Sequence, residues 1–348
     1  MTTMYDIAII GAGPAGTTLA RLLPKRYKIL LVDKTKPSCC GGLLAPDAQK
    51  MIARFGYVLP NEVLCGPQLF SVRVIDFDNH LERFYQRHYI NVDRQRFDNW
   101  LLSLVPPHVH VRQHCSFLTA EKSSNGYELT LKENGNEFKE HAKILVGAEG
   151  AFSQVRRTFF PNATHLKSYL AIQEWFHVET HLPYYGAFFD REITDFYGWT
   201  ISKESSLLVG IALDVSRSSK ELFERFKEKL RGKGFTLDHS HRLESAQILR
   251  PMKSSAVNSG NDTIFLIGEA AGLISPSSAE GISYAMKSAE NLADALQESC
   301  EGADLRYHKN LRGLLWNLFF KNLKSPTMYT PCIRKGCLGS GLLALDIR

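Results

Sequence analysis

The residues with the clearest chemical spacing stand near the start of the chain, in GAGPAG, Gly11 to Gly16. Gly11 permits a tight turn, Gly13 lets backbone approach a pyrophosphate, and Gly16 lets a helix pack closely on a strand. Pro14 and Ala15 sit where that helix begins, with its N-terminal N–H groups facing phosphate charge. Asp33 follows 22 residues after Gly11, where a carboxylate can hold ribose hydroxyls, and Lys34 is beside it. The pattern points to a dinucleotide and leaves FAD and NAD both open. A second stretch, CCGGLLAP from Cys39 to Pro46, puts two thiols side by side and two glycines after them. It is compatible with a disulfide, half a metal site, a redox pair, or a loop that comes close to a flat ligand. Adjacent cysteines bridge only through a strained ring. A zinc site wants paired C-x-x-C units, and no C-x-x-C occurs. A third stretch, DFYGWTIS, carries Tyr197 and Trp199 at strand spacing, which also suits alternating core aromatics.

The elements that must position these residues follow from the hydrophobic pattern. MYDIAII reads as a buried strand ending at Gly11, Pro14 to Leu23 as a helix stopped by Pro24, and YKILLVD as a second strand closing on Asp33. This is a βαβ unit. Helices are expected over Pro46 to Phe55 and Arg94 to Leu104, and strands over Phe70 to Phe77 and Glu82 to Asn91. Strand-like pieces fill Val109 to Val146, and AKILVGAEG is a third apolar strand ending in glycines. From about residue 164 to 250 the texture changes to aromatic strands (YLAIQEWFHV, YYGAFFD, FYGWTIS, SLLVGIAL) and a charged helix, Lys220 to Leu230. That segment reads as an antiparallel sheet. DTIFLIGEAAG returns to the buried-strand pattern and leads into a helix from about Ser278 to Leu296. The expected organisation is a discontinuous nucleotide-binding domain (1–61, 92–163 and 251–300), an inserted sheet domain (62–91 and 164–250) and a basic amphipathic helical tail (301–348). In that tail Leu311, Leu314, Leu315, Leu318 and Phe319 recur at helical spacing, Trp316, Phe320 and Leu323 widen the apolar face, and Arg312, Lys321 and Lys324 add charge. The pattern suits either a helix packed on the domain or one that docks on a membrane surface.

Two further motifs separate FAD from NAD: VGAEGAFSQVRR, Val146 to Arg157, and FLIGEAAGLISPSSAEGIS, Phe265 to Ser283. With all three in order, the chain resembles FAD proteins built like p-hydroxybenzoate hydroxylase, over roughly residues 4 to 300. The resemblance implies an α/β fold: a Rossmann-like FAD-binding domain, an inserted antiparallel-sheet substrate domain and C-terminal helices. It implies that Gly268 and Glu269 hold the ribityl and phosphate groups, and that Glu149 and Gly150 support the cofactor and the sheet. Both glutamates replace the aspartate usual in that group. Arg94, in VDRQRFDNWL, matches an arginine that contacts cofactor phosphate or adenine ribose, with Arg96 as its neighbour. Pro276, Gly281 and Ile282 would border the isoalloxazine ring, where a helix N-terminus favours the anion of reduced flavin.

CCGGLLAPDAQK is similar to the Cys-Gly-Gly loop of geranylgeranyl reductases, with Cys40, Gly41 and Gly42 in register, and the whole pattern is nearest to a bacterial branch of that family. The resemblance implies that Gly41 and Gly42 lie against the flavin, that Cys40 and Leu43 line the substrate site, and that Cys39 is an incidental neighbour. Tyr197 and Trp199 match the P-x-x-Y-x-W-x-F-P segment that lines the lipid site in those reductases; Thr194, Ile201 and Ser202 depart from it. The segment also half-fits the W-x-W-x-I-P of flavin-dependent halogenases. The implied reaction is hydride transfer from N5 of reduced FAD to a C=C bond of an isoprenoid or polyprenyl lipid. Tyr197, Cys40 and water are the proton-donor candidates. No second G-x-G-x-x-G occurs, so NAD(P)H or another electron carrier would visit transiently. The alternatives are an FAD-dependent monooxygenase, hydroxylase or halogenase, and a non-catalytic flavoprotein.

Composition narrows the rest. The 348 residues are 44% hydrophobic and 22% charged, ordinary globular values. No charged-then-apolar leader opens the chain, no apolar run approaches the roughly 20 residues of a membrane span, and the seven cysteines are scattered. A cytoplasmic protein with reduced thiols is expected, peripheral at a membrane surface if the basic tail docks there. The net charge is +6, and residues 301–348 carry eight Lys/Arg against three Asp/Glu, nearly the whole excess. No nucleic-acid motif, G-x-S-x-G, H-E-x-x-H or Walker loop is present, and the HSH and HVH histidines lack partners at metal spacing.

Overall fold

The computed structural model describes residues 4–35, 39–161, 166–215 and 218–346. The chain divides into two compact units. One comprises Met1–Pro37, Phe97–Lys167 and Leu249–Lys321; the other comprises Ser38–Arg96, Ser168–Ile248 and Asn322–Arg348.

The first unit is built on a sheet in the order Gly260–Asn261, Ile264–Leu266, Asn136–Gly147, Met4–Ile10, Ile29–Val32, His110–Arg112. The strands from Ile264–Leu266 to His110–Arg112 run parallel, with Ile7 between Ile29 and Ile144. Ile7, Ile9, Ile29 and Leu31 are fully buried, as parallel strands covered on both faces require. Cys115–Ser123 and Gly126–Glu133 extend Asn136–Gly147 as an antiparallel meander. Helices Pro14–Leu22 and Ile282–Glu298 pack on one another and close the core through Leu19, Leu292 and Leu296.

The second unit holds a sheet in the order Ser240–Pro251, Leu166–His177, Ser206–Asp214, Gly198–Lys203, Tyr184–Phe189, Leu69–Asp76, Leu81–Asn91, Ala344–Leu345. It is mixed rather than purely antiparallel: Tyr184–Phe189 runs parallel to Leu69–Asp76, because those strands come from two separate stretches of chain. Helix Ser219–Arg231 covers one face, packing Leu222, Phe223, Phe226 and Leu230 on Phe188, Val209, Ile211 and Leu213.

Two sequence expectations change. The Cys-Gly loop falls in the second unit, not with the nucleotide-binding strands, because Leu43 and Leu44 pair with Asn91 and Ile90. The helix after the third motif starts at Ile282 rather than near Ser278, because Ser275 N donates to Glu280 O at 3.1 Å and closes a turn first. Residues 303–345 carry the expected C-terminal helices. They form helices Ala303–Asn310, Arg312–Tyr329 and Pro331–Gly339, then strand Ala344–Leu345, which pairs with Leu81–Asn91. Arg334, 4% exposed, is fixed by Asp76 at 2.8 Å. The expected boundary at 163/164 lies outside the described residues. Among the described residues, no helix is long and apolar enough to cross a membrane.

Candidate functional site

In the first unit, Met4–Ile10 ends at Gly11, where φ is +104° and a Cβ would sit 2.6 Å from the Ala148 carbonyl oxygen. A Cβ on Gly16 would sit 1.8 Å from the Gly11 carbonyl oxygen, so helix Pro14–Leu22 closes directly on the turn. Gly13 faces open space to 4 Å, the approach a pyrophosphate needs. The helix starts with Gly13 as N-cap and Pro14 in the first turn, and no side chain caps it. Its first N–H groups therefore suit an anion. Asp33 Oδ1 accepts from Ala12 N at 3.3 Å, and Oδ2 from Thr35 N and Oγ1 at 3.0 Å. The carboxylate thus stands beside the glycine turn, where a ribose would lie. Lys34 is exposed.

The second and third motifs join in the same unit. Glu149 Oε2 accepts from Ser153 Oγ at 2.6 Å, and Oε1 from Gln154 N and Val155 N at 2.9 and 3.1 Å. Oε1 thus caps helix Gln154–Phe159 and Oε2 holds the hydroxyl of its N-cap residue, Ser153, while burial pushes the carboxyl pKa up. Gly150, at φ +75°, opens the short turn between the two. Arg156 is buried and donates to the carbonyls of Ala270 at 2.9 Å and Glu269 at 3.3 Å, tying the second motif to the third. Glu269 Oε1 accepts from Leu249 N at 2.8 Å. Gly268, at φ +57°, has room for a Cβ only 3.2 Å from Ala15, which brings the third motif against the first. Arg250, also buried, donates from Nε to Pro276 O at 2.9 Å and holds the loop before Gly281 and Ile282. Gly281 is the N-cap of helix Ile282–Glu298, again with no side-chain cap. The glycine turn, the carboxylate beside it and two helix N-termini without a side-chain cap fit FAD.

In the second unit, alternation divides Gly198–Lys203 between two environments. A Cβ on Gly198 would meet the Phe226 ring at 2.4 Å, so Gly198 faces the covering helix. Trp199, Ile201 and Lys203 therefore point to the other face. Tyr197, one residue before the strand, packs at a tilt on Trp199 with ring centroids 5.6 Å apart, and its hydroxyl accepts from that of Tyr185 at 3.4 Å. Gly210 sits opposite Trp199 and Gln173, and its missing side chain makes room for the indole at 2.4 Å. The Cys-Gly loop lies across this face. A Cβ on Gly41 would meet Ile201 at 2.5 Å, and Cys39 Sγ accepts from Gln173 Nε2 at 3.1 Å. Cys40 Sγ accepts from Gly42 N at 3.5 Å. Gly42, at φ +62°, and Val92 present carbonyls to the buried Lys203 Nζ at 3.2 and 2.7 Å. Burial pulls the Lys203 pKa down to about 8 and pushes Cys39 up to about 12, which keeps that thiol protonated. Cys39, expected to be incidental, thus has a defined partner. Arg94 opens helix Arg94–Ser103, and Arg96 is committed to the Glu62 carbonyl at 3.1 Å.

Sequence reasoning missed Gln173, Lys203, Tyr185 and Arg250. Only Lys203 left a trace, as the charge ending an apolar strand.

The FAD binding domain family matches residues 105–307, more than half of the chain. The chain belongs to that family. This flavoprotein is 40% identical over 346 residues to Protein CbrA of Escherichia coli O9:H4 (strain HS), covering 97% of this chain and 94% of that protein. Among solved structures it is similar to a geranylgeranyl bacteriochlorophyll reductase-like protein of Thermoplasma acidophilum, with TM-score 0.78, 20% identity, and coverage of 96% and 87% of the two chains. It is also similar to a probable FAD-dependent monooxygenase of Pseudomonas aeruginosa (TM-score 0.72, 16% identity, coverage 97% and 99%). A flavin-dependent brominase matches at TM-score 0.68 and 18% identity, with coverage of 97% and 95%. The fold is thus that of the p-hydroxybenzoate hydroxylase-like FAD proteins. The chain is an FAD protein of the oxidoreductase and monooxygenase class.

Proposed function

We propose that this flavoprotein reduces a C=C bond of an isoprenoid or polyprenyl lipid held on the Cys-Gly face of the second unit. The observation that carries this reading is the face itself. Tyr185, Tyr197 and Trp199 form an aromatic wall, and the loop laid beside it contributes Cys39, Cys40, Gly41 and Leu43. Bound FAD supplies the hydride, recharged by NAD(P)H or another electron carrier. The chain's own residues do the rest. The aromatic wall orients a flat alkene segment and excludes water, which an isolated double bond needs because it is a poor hydride acceptor. Gly210 gives the Trp199 indole its room, and Gly41 lets the loop lie directly on Ile201. The Tyr197 hydroxyl, next to Tyr185, is placed to hold the proton for the second carbon. Cys40 sits in the loop on the same face as a further donor.

The test is the product. The holoprotein is supplied with an electron donor and geranylgeranyl phosphate. A product heavier by two hydrogens per reduced double bond supports the reading. A product that gains an oxygen atom moves the assignment to a monooxygenase.

A further inference from the structure

Helix Arg312–Tyr329 has two unlike sides. One is anchored: Leu318 is fully buried, as is Leu311 just before the helix, Leu314 and Leu315 pack on the first core, and Asn317 accepts from the Tyr284 hydroxyl. The other carries Trp316, Phe319, Phe320 and Leu323, spaced i, i+3, i+4 and i+7, and 60%, 41%, 54% and 60% exposed. The three rings touch one another with centroids 5.7 to 6.0 Å apart, one pair stacked and two edge to face, so they form a continuous apolar surface rather than scattered contacts. Four large apolar residues on one exposed stripe call for a partner.

The charge around the stripe says what that partner is. Arg312 and Lys324, both exposed, stand four residues before Trp316 and four after Phe320, on the same side of the helix. From Leu305 to Leu345 the chain has seven Lys/Arg and no Asp or Glu. Arg306 is turned inward to the Ala295 carbonyl and Arg334 to Asp76, whereas Lys309 and Lys335 are also exposed. Exposed Trp, Phe and Leu beside Lys and Arg, with no acidic residue, is the composition of a helix that lies in the interface of a negatively charged bilayer. We propose that Trp316, Phe319, Phe320 and Leu323 insert into an anionic lipid surface, with Arg312 and Lys324 pairing with its headgroups. This inference does not rest on the proposed reaction, because no substrate enters it.

The test is co-sedimentation of the holoprotein with phosphatidylcholine vesicles containing or lacking phosphatidylglycerol, at low and high salt. Binding to the anionic vesicles is expected, weakened by salt. Trp316→Ser with Phe320→Ser should lower it at least about tenfold, since each ring buries apolar area. Arg312→Gln and Lys324→Gln should each lower it about fivefold. Brominated lipid should quench tryptophan emission in the wild type and much less in Trp316→Phe. FAD content and melting temperature should be unchanged in all variants, since the residues are exposed. Three results would each overturn the inference: no binding to anionic vesicles at low salt, undiminished binding by the double serine variant, or a lipid-independent dimer that the serine variant abolishes.

Discussion

Lys203→Met tests whether a buried ammonium holds the Cys-Gly loop. Lys203 is 4% exposed and donates to the carbonyls of Val92 and Gly42. Burial lowers its pKa from 10.5 to about 8, against the pull of Cys65, Cys40 and Asp93. Between those two pH values the unfolded lysine keeps a proton that the folded one has released. The unfolded state then binds more protons, so stability rises with pH across this window. A shift of that size corresponds to about 3 kcal/mol gained on going from below pH 8 to above pH 10.5. Met fills a similar volume and cannot titrate, so it removes this pH dependence. It also leaves the Val92 carbonyl without this donor, at a cost of about 1–3 kcal/mol; Gly42 O keeps its bond from Val92 N at 2.8 Å. The variant should therefore be close to wild type at neutral pH and less stable by a few kcal/mol at pH 10.5. Urea unfolding of the holoprotein, followed by tryptophan emission at pH 7.5, 9 and 10.5, reads the difference. If the wild type and Lys203→Met keep a constant gap across that range, the buried-ammonium reasoning is wrong.

The other expectations concern separate parts of the fold. Gly16→Ala places a methyl 1.8 Å from the Gly11 carbonyl oxygen and should yield protein without bound FAD, checked by its visible absorbance. Arg334→Ala leaves Asp76, fully buried, without its cation and should destabilise by roughly 3–5 kcal/mol in denaturant titration. Burial raises the Asp76 pKa, but the bonds from Arg334 and Asn79 prevail and hold it low. The wild type should therefore lose this stability as pH falls through the carboxylate range, and Arg334→Ala should show less of that loss. Tyr197→Phe should retain FAD and slow product formation, with a changed pH profile; an unaltered rate and profile would assign the proton to Cys40 or water.

Much of the nucleotide-binding unit was legible because its chemistry is local. Gly11, Gly13, Gly16 and Asp33 lie within one βαβ unit, where Gly16 packs on Gly11 and Asp33 binds Ala12 N, although Gly11 also meets Ala148 from a distant strand. The buried strands read easily for the same reason, since an apolar run bounded by turns has few other uses. The second unit was less legible because its contacts join distant segments. Nothing near Gln173 announces Cys39, 134 residues away, and nothing near Lys203 announces Gly42, 161 residues away. The placement of the Cys-Gly loop depended on two residues, Leu43 and Leu44, adding to the edge of a strand. Charge alone also misled at the C-terminus, where Arg334 has a buried partner more than 250 residues earlier in the chain.

The central claim is that the protein's FAD delivers hydride to an isoprenoid double bond, and flavin reoxidation without oxygen tests it most directly. The purified holoprotein is reduced with dithionite under anaerobic conditions and mixed with geranylgeranyl or longer polyprenyl phosphates. The account predicts return of the oxidised flavin spectrum in step with lipid that has gained two hydrogens per double bond, and a slower return in Trp199→Ala. Flavin that stays reduced with every such lipid until air is admitted would contradict it.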